Sequence, residues 1–220
     1  MKKRKKKNKV IPILIICLVV AVTVSVLYNF NLIPHKSYSN KDFDIDRYYS
    51  STDNDGDGID DQTDILQNVR AYISTEPQYK SKYYETGYPN DEYGVCTDVV
   101  AFGMLGAGYD LKELVNEDIN NHREDYNIDS VDKNIDFRRV RNLIVYFNRN
   151  AISLTTDVHD IDQWQGGDIV VFDGHIGIVS DKRNRNGVPF LIHNGNPYQK
   201  EYEQDVLETR NDIVGHFRIS

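Results

Sequence analysis

Cys96 stands in the stretch GVCTDVV, Gly94 to Val100, and is one of two cysteines in a chain of 220 residues. The other, Cys17, lies inside a charge-free apolar run, so the polar body keeps a single thiol with no partner for a disulfide. A thiol attacks a carbonyl carbon as its thiolate, and it needs a base or an imidazolium beside it. Six histidines are available: His35, His122, His159, His175, His193 and His216. His175 follows directly on Asp173-Gly174, and His193 closes the apolar run FLIH. His35 falls in a linker-like segment, and His122 and His159 fall in or near loops, where surface roles are expected. A cysteine at a helix start feels the positive end of the helix dipole, which favours the thiolate. Taken singly, a lone cysteine reads as a small core residue and a strand-end histidine as a surface one. Together, in this order, the three have the makings of nucleophilic acyl transfer.

A second group of residues has metal-ligand spacing. DNDGDGIDDQTD, Asp53 to Asp64, carries carboxylates at loop positions 1, 3, 5, 9 and 12, with Gly58 at position 6. Alternating oxygens suit a hard cation such as calcium, and a glycine at position 6 allows the sharp turn. Position 12 is Asp64 rather than the longer Glu, and Ile59 sits one place early for a helix-loop-helix hand, so the loop is closer to extracellular Asp-rich calcium repeats. Asp53, Asp55, Asp57, Asp61 and Asp64 are the expected ligands of a structural calcium. The competing reading is a solvated acidic turn that caps the next helix.

These groups need elements to hold them. The apolar spacing predicts helices over 62–74, 96–107, 110–120 and 134–148, with Asp110 and Glu113 forming a capping box. Residues 76–94 are Tyr-rich and irregular. From Asp168 the pattern changes to short strands, DIVVF, HIGIVS, PFLIHN and IVGHFRI. The Asp173-Gly174 link predicts a tight hairpin. Pairing Ser180 with Val188 across the next loop places His175 opposite His193 on one sheet face, with Cβ atoms roughly 5 Å apart. Helices followed by an antiparallel sheet indicate an α+β class.

Charge divides the chain. MKKRKKKNK carries seven of the 26 Lys and Arg residues, and no acid occurs before Asp42. The remainder has 19 basic against 34 acidic residues, a formal charge of −15. Such a body lacks the basic patches that phosphate contacts need, so nucleic acid is not expected as a partner. Val10 to Leu27 is 18 residues without a charge, and weaker apolar character runs on to Ile33. This predicts a transmembrane signal-anchor over 10–33, with the basic head 1–9 cytoplasmic and the C-terminal domain outside. A cleaved signal peptide competes, with VTVS as its candidate cleavage site. Residues 34–51 read as a stalk packing loosely on a domain over 52–220.

The motifs GVCTDVV, GDIVVFDGHIGIVSD and FLIHN, in this order, resemble the NlpC-type branch of papain-like cysteine peptidases. The wider set, with DLKELVNEDI, NIDFRRVRNL and the closing GHFRIS, is similar to the bacterial family called domain of unknown function 1287. That family leads one to expect a histidine where Phe137 stands. The resemblance implies a papain-like fold, Cys96 as nucleophile and His175 as base. It implies His193 as the orienting third residue, with Asn194 as its rival. The Cys96 backbone N–H would help bind the oxyanion, and Tyr84 or Tyr88 would complete the hole, as a tyrosine does in the wall peptidases. Asp98 reads as a first-turn carboxylate favouring the helix start, and Arg138, Arg139 and Arg141 as packing and ion-pairing residues.

The expected function is a membrane-anchored extracytoplasmic thiol hydrolase that cleaves an amide in peptidoglycan peptide and needs no cofactor for catalysis. A non-catalytic wall- or protein-binding module on the same fold is the alternative, and a thiol acyltransferase or transpeptidase is a third.

Overall fold

The computed structural model describes residues 10–29 and 31–219. The chain divides into two compact units, Met1–His35 and Lys36–Ser220.

In the first unit, helix α1 (Val10–Asn29) is long and apolar enough to cross a membrane, with a mean hydropathy of 3.1. Its Thr23 hydroxyl bonds back to the Val19 carbonyl at 2.9 Å, so the polar side chain is satisfied within the helix. The helix stops short of the expected end at Ile33, and Asn31 turns the chain with φ 51°. The basic head, and with it the expectation of a cytoplasmic 1–9, lies outside the described residues.

The second unit is α+β. Helix α2 (Asp61–Ile73) leads to two short parallel strands, β1 (Gln78–Tyr79) and β2 (Tyr93–Gly94). Helices α3 (Cys96–Gly106), α4 (Leu111–Asn121), α5 (Lys133–Asp136) and α6 (Val140–Asn150) follow. Strands β3 (Ile152–Ser153), β4 (Ile169–Phe172), β5 (His175–Arg183), β6 (Pro189–Ile192), β7 (Glu203–Gln204) and β8 (Ile213–Arg218) form one antiparallel sheet in the order β3-β8-β4-β5-β6-β7.

Strand alternation sends Ile169, Val171, Ile176, Ile178 and Ile192 to the helical face. Val170, Phe172, Val179 and Leu191 go to the other face, under Val158, Trp164 and Leu207. Both faces of β4 are therefore covered, which is why its four residues read as an unbroken apolar run.

Three expectations are corrected. The helix predicted over 134–148 is two helices, because Asp132 caps the first and the chain turns at Phe137–Arg139. Asn142 Nδ2 fills the break by donating to the Asp136 carbonyl at 3.0 Å. Residues 36–51 are not a loose stalk. Tyr38 exchanges two backbone hydrogen bonds of 2.8 Å with Arg183, and Asn40 accepts from Arg183 Nε at 2.7 Å. Asp110 caps α4 through Lys112 N–H, but Glu113 pairs with Lys133 instead of closing the capping box.

The hairpin register is also corrected. The loop closes at Arg183–Pro189, and β5 spends three residues between Val179 and Arg183 where β6 spends one between Pro189 and Leu191. This irregularity leaves Ile178 paired with Ile192, a two-residue slip from the expected register. Strand faces alternate with period two, so the slip preserves the shared face of His175 and His193 while ending their direct opposition.

Candidate active site

Cys96 is the first residue of α3, and the helix start is built by charge. Asp98 accepts from Val95 N–H at 2.8 Å, and Arg138 grips both its carboxylate oxygens at 2.6 and 2.9 Å. Both side chains are buried, so losing the arginine would strand a carboxylate in the core. Arg138 also donates to the Lys82 carbonyl, tying α3 to the irregular segment after β1.

Burial pushes the Cys96 thiol up to about 11, although backbone N–H groups of Ile176, Thr97 and Cys96 itself favour the thiolate. The dipole advantage expected at a helix start is thus outweighed by desolvation. Cys96 packs on the helical face of the sheet, and its sulfur rests against the peptide that joins His175 to Ile176.

The His175 ring is on the other face, sharing it with Phe172 at a centroid distance of 5.7 Å. Among the described residues its hydrogen bond goes to His193, Nε2 to Nδ1 at 2.9 Å, and none joins it to the Cys96 sulfur. His193 Nε2 in turn meets Gln204 Oε1 at 3.0 Å. An amide oxygen only accepts, so His193 carries its proton on Nε2 and presents a lone pair at Nδ1. His175 must then donate from Nε2, which leaves His175 Nδ1 unprotonated and free to take a proton. Burial lowers His175 to about 3, with the neighbouring His193 and Arg210 adding to the effect. Burial also lowers His193 to about 4, partly opposed by Gln204. At neutral pH the resting site is a neutral thiol with a neutral imidazole relay on the opposite face of β5.

Gly177 gives the relay its room. A Cβ there would fall 2.7 Å from Leu191 Cδ1 and 2.8 Å from the Ile192 carbonyl, so its bareness lets β6 deliver His193. Asn194 is buried elsewhere, with its Nδ2 donating to the carbonyls of Pro77 and Gly94 at 2.8 and 3.1 Å. It braces the chain two residues ahead of Cys96 and takes no part in orienting His175.

The two tyrosines expected near the oxyanion are committed. Tyr84 donates to Asp91 and Tyr88 to Asp110, each at 2.7 Å, so neither phenol proton is free. Tyr72 on α2 is different. Among the described residues its buried hydroxyl has no hydrogen-bond partner, and it seats against Gly94, where a Cβ would come within 2.2 Å. Thr97 Oγ1, next to Cys96, likewise has no partner among the described residues. Phe137, where a histidine was expected, is fully buried beside Tyr88 at 4.9 Å and has only a packing role.

The Asp-rich loop brings together three of its five expected ligands. Single carboxylate oxygens of Asp53, Asp55 and Asp57 lie within 4.8 Å of one another. Asp53 also accepts from the N–H groups of Gly56, Asp57 and Gly58. Asp61 and Asp64 stand apart because they are built into the first turn of α2. Asp61 accepts from Asn54 N–H and from the Tyr109 hydroxyl, and Asp64 accepts from Asn68. Burial, with repulsion from Asp57 and Asp55, pushes the Asp64 carboxyl up to about 6.

A third polar group gave no signal in the sequence. Asp168 is fully buried, and it accepts from His216, Arg218, Gln62 and Gln165 N–H. His216 stacks on Trp164 at 3.7 Å, and the group fastens α2 to the sheet from below.

A family described as a domain of unknown function, DUF1287, matches residues 66–219. Uncharacterized protein YijF of Escherichia coli (strain K12) is 35% identical over 161 residues, covering 69% of this chain and 77% of YijF. No solved structure matches.

Proposed function

The chain belongs to the DUF1287 family, and from the geometry of its site we propose that it is a membrane-anchored, papain-like thiol hydrolase of NlpC type acting on amides of peptidoglycan peptide. The observation that carries this reading is the relay Gln204–His193–His175, which leaves an unprotonated His175 Nδ1 on the residue whose peptide to Ile176 touches the Cys96 sulfur.

In this reading substrate binding turns the His175 ring around the start of β5, from the far face of the sheet to the sulfur, and completes the pair only in the complex. His175 Nδ1 takes the thiol proton while Sγ bonds to the carbonyl carbon. The oxyanion meets the Cys96 N–H, and Tyr72 is the hydroxyl with a proton to give. Collapse breaks the C–N bond as His175 protonates the leaving amine, and a thioester remains. Water then attacks, His175 takes its proton, and the acid leaves as the proton returns to Sγ. An amine in place of water would make the same site a transpeptidase.

The seven basic residues before α1 favour a cytoplasmic N-terminus, which sends the hydrolase domain outside. A calcium ion on Asp53, Asp55 and Asp57 is proposed as a structural tie at the entry to α2.

One observation favours a second reading, a non-catalytic binding module. The resting thiol is raised and unbonded to His175. Acylation separates the two. Full-length protein is treated with an activated wall-type peptide ester, and the Cys96 adduct is followed by mass spectrometry. The hydrolase acylates at Cys96 and turns over, and His175→Ala slows it at least a hundredfold. Equal labelling of wild type and His175→Ala would establish the binding module.

A further inference from the structure

Beside the relay lies a polar groove of about 410 Å³ whose walls are the turn into β1 and the loop between β6 and β7. That size suits a ligand of about two amino acids. Asn194 forms part of its lining, and Asn194 follows His193 in the chain while bonding to Gly94, two residues before Cys96. The groove therefore touches the segments that carry both the relay and the nucleophile.

Its charges are few and opposed. Glu76 lines one side, where a left-handed backbone (φ 54°) turns the chain out of α2. Its carboxylate acts on Tyr202 across the groove. Lys200 lines the facing loop. Among the described residues neither Glu76 nor Lys200 belongs to an ion pair, and they do not pair with each other. Gln78 and Tyr79 add uncommitted polar groups, whereas Gln199 is spent on closing its own loop through Gly195 N–H and the His193 carbonyl. Tyr202 and Asn194 both donate to the Pro77 carbonyl, which keeps the walls at a fixed width.

We propose that this groove binds a zwitterionic residue of the peptide substrate, with its ammonium group at Glu76 and its carboxylate at Lys200. An unpaired acid and an unpaired base, held apart in one cleft, are both neutralised by a ligand that carries both charges on one residue. A ligand with either charge capped forgoes one of the two attractions. The proposal rests on the peptide-hydrolase reading and names the substrate feature that reading leaves open.

The test uses full-length Cys96→Ala protein in detergent and calorimetry with the tripeptide L-Ala-γ-D-Glu-L-Lys. Two capped forms are compared with it, one acetylated on the lysine side chain and one amidated at the C-terminus. The free peptide should bind roughly two- to fivefold more tightly than either capped form, the scale of an exposed charge pair. Glu76→Gln should abolish the discrimination against acetylation, and Lys200→Met the discrimination against amidation. Equal affinity for all three peptides overturns the proposal. Turnover by wild-type protein is measured alongside. Cleavage without discrimination sinks the groove and leaves the hydrolase, whereas discrimination without cleavage leaves the groove and sinks the hydrolase. Neither binding nor cleavage overturns both.

Discussion

His175 and His193 meet ring to ring, 2.9 Å from nitrogen to nitrogen and 78° between planes, although they are not cross-strand partners. The two-residue slip between β5 and β6 sets them diagonally, and Gly177 leaves the space between. Gly177→Ala must push the Ile192 backbone away, so it should cost about 1–3 kcal/mol of stability. It should also lower turnover at least tenfold by moving His193 off His175. Thermal unfolding combined with turnover checks this, and unchanged kinetics would falsify the role given to Gly177.

Gln204 sets which nitrogens of the relay carry protons. Gln204→Glu keeps an acceptor at His193 Nε2 but adds a negative charge, which favours the imidazolium forms. The acid limb of the pH–rate profile should therefore move to higher pH. Gln204→Leu removes the acceptor that opposes burial at His193, so it should lower turnover across the whole range and move that limb, in the opposite direction, to lower pH. Nitrogen NMR of the two imidazoles reads the tautomers directly.

A thiol raised to about 11 is almost wholly protonated at neutral pH. Iodoacetamide should therefore label resting Cys96 slowly at pH 7, at a rate that climbs steadily toward pH 10. A plateau of fast labelling between pH 5 and 8 would instead reveal a standing thiolate–imidazolium pair and contradict the neutral resting state. The histidines have a matching effect on stability. Folded His175 and His193 are depressed below the ordinary 6.5, so the unfolded chain binds more protons. Stability is full above about pH 6.5 and is lost as the solution is acidified toward pH 4 and 3. Each histidine contributes a slope of up to about 1.4 kcal/mol per pH in that window.

Tyr72→Phe separates a catalytic hydroxyl from a structural one. An orphaned buried hydroxyl costs stability, so its removal should leave the melting temperature equal or higher. If that hydroxyl serves the oxyanion, kcat should fall about a hundredfold with KM little changed. A stable variant with wild-type kcat would remove Tyr72 from the mechanism.

Calcium should raise the melting temperature of the full-length protein by a few degrees at millimolar concentration, by binding only the folded loop. Asp55→Asn should weaken that response, and magnesium should not replace calcium. No calcium response in the wild type would leave Asp53, Asp55 and Asp57 as a solvated turn.

Sequence signals that are local were legible here. Asp173-Gly174 marks the β4–β5 hairpin, with Gly174 at φ 79°, and the apolar spacing after Cys96 marks α3. Signals that depend on tertiary partners were not. Gln204 sits in a two-residue strand, too short to show alternation. The register slip comes from two extra residues near Asp181 that look like ordinary strand. Tyr72 reads as one more apolar position of α2, since nothing local shows that its hydroxyl ends against Gly94. Phe137 continues a helical period across the break that Asn142 fills, and its burial against Tyr88 is a tertiary contact that no local pattern shows.

Arg183 is buried with four hydrogen bonds to neutral oxygens, from Asn40, Ile161, Gly187 and Trp164, and no carboxylate among them. Desolvation lowers it to about 10, and the cage works with the more distant charges of Asp162, Asp168 and Asp181 to keep the cation tolerable there. One bar of that cage is Asn40, only eleven residues beyond the end of α1. A form cut free of α1 thus has a sharp minimum length. A cut before Tyr38 spares the cage, whereas a cut a few residues later removes Asn40 and opens the guanidinium's enclosure. Freeing the domain from α1 and opening its arginine cage are separated by the choice of one peptide bond in a short stretch.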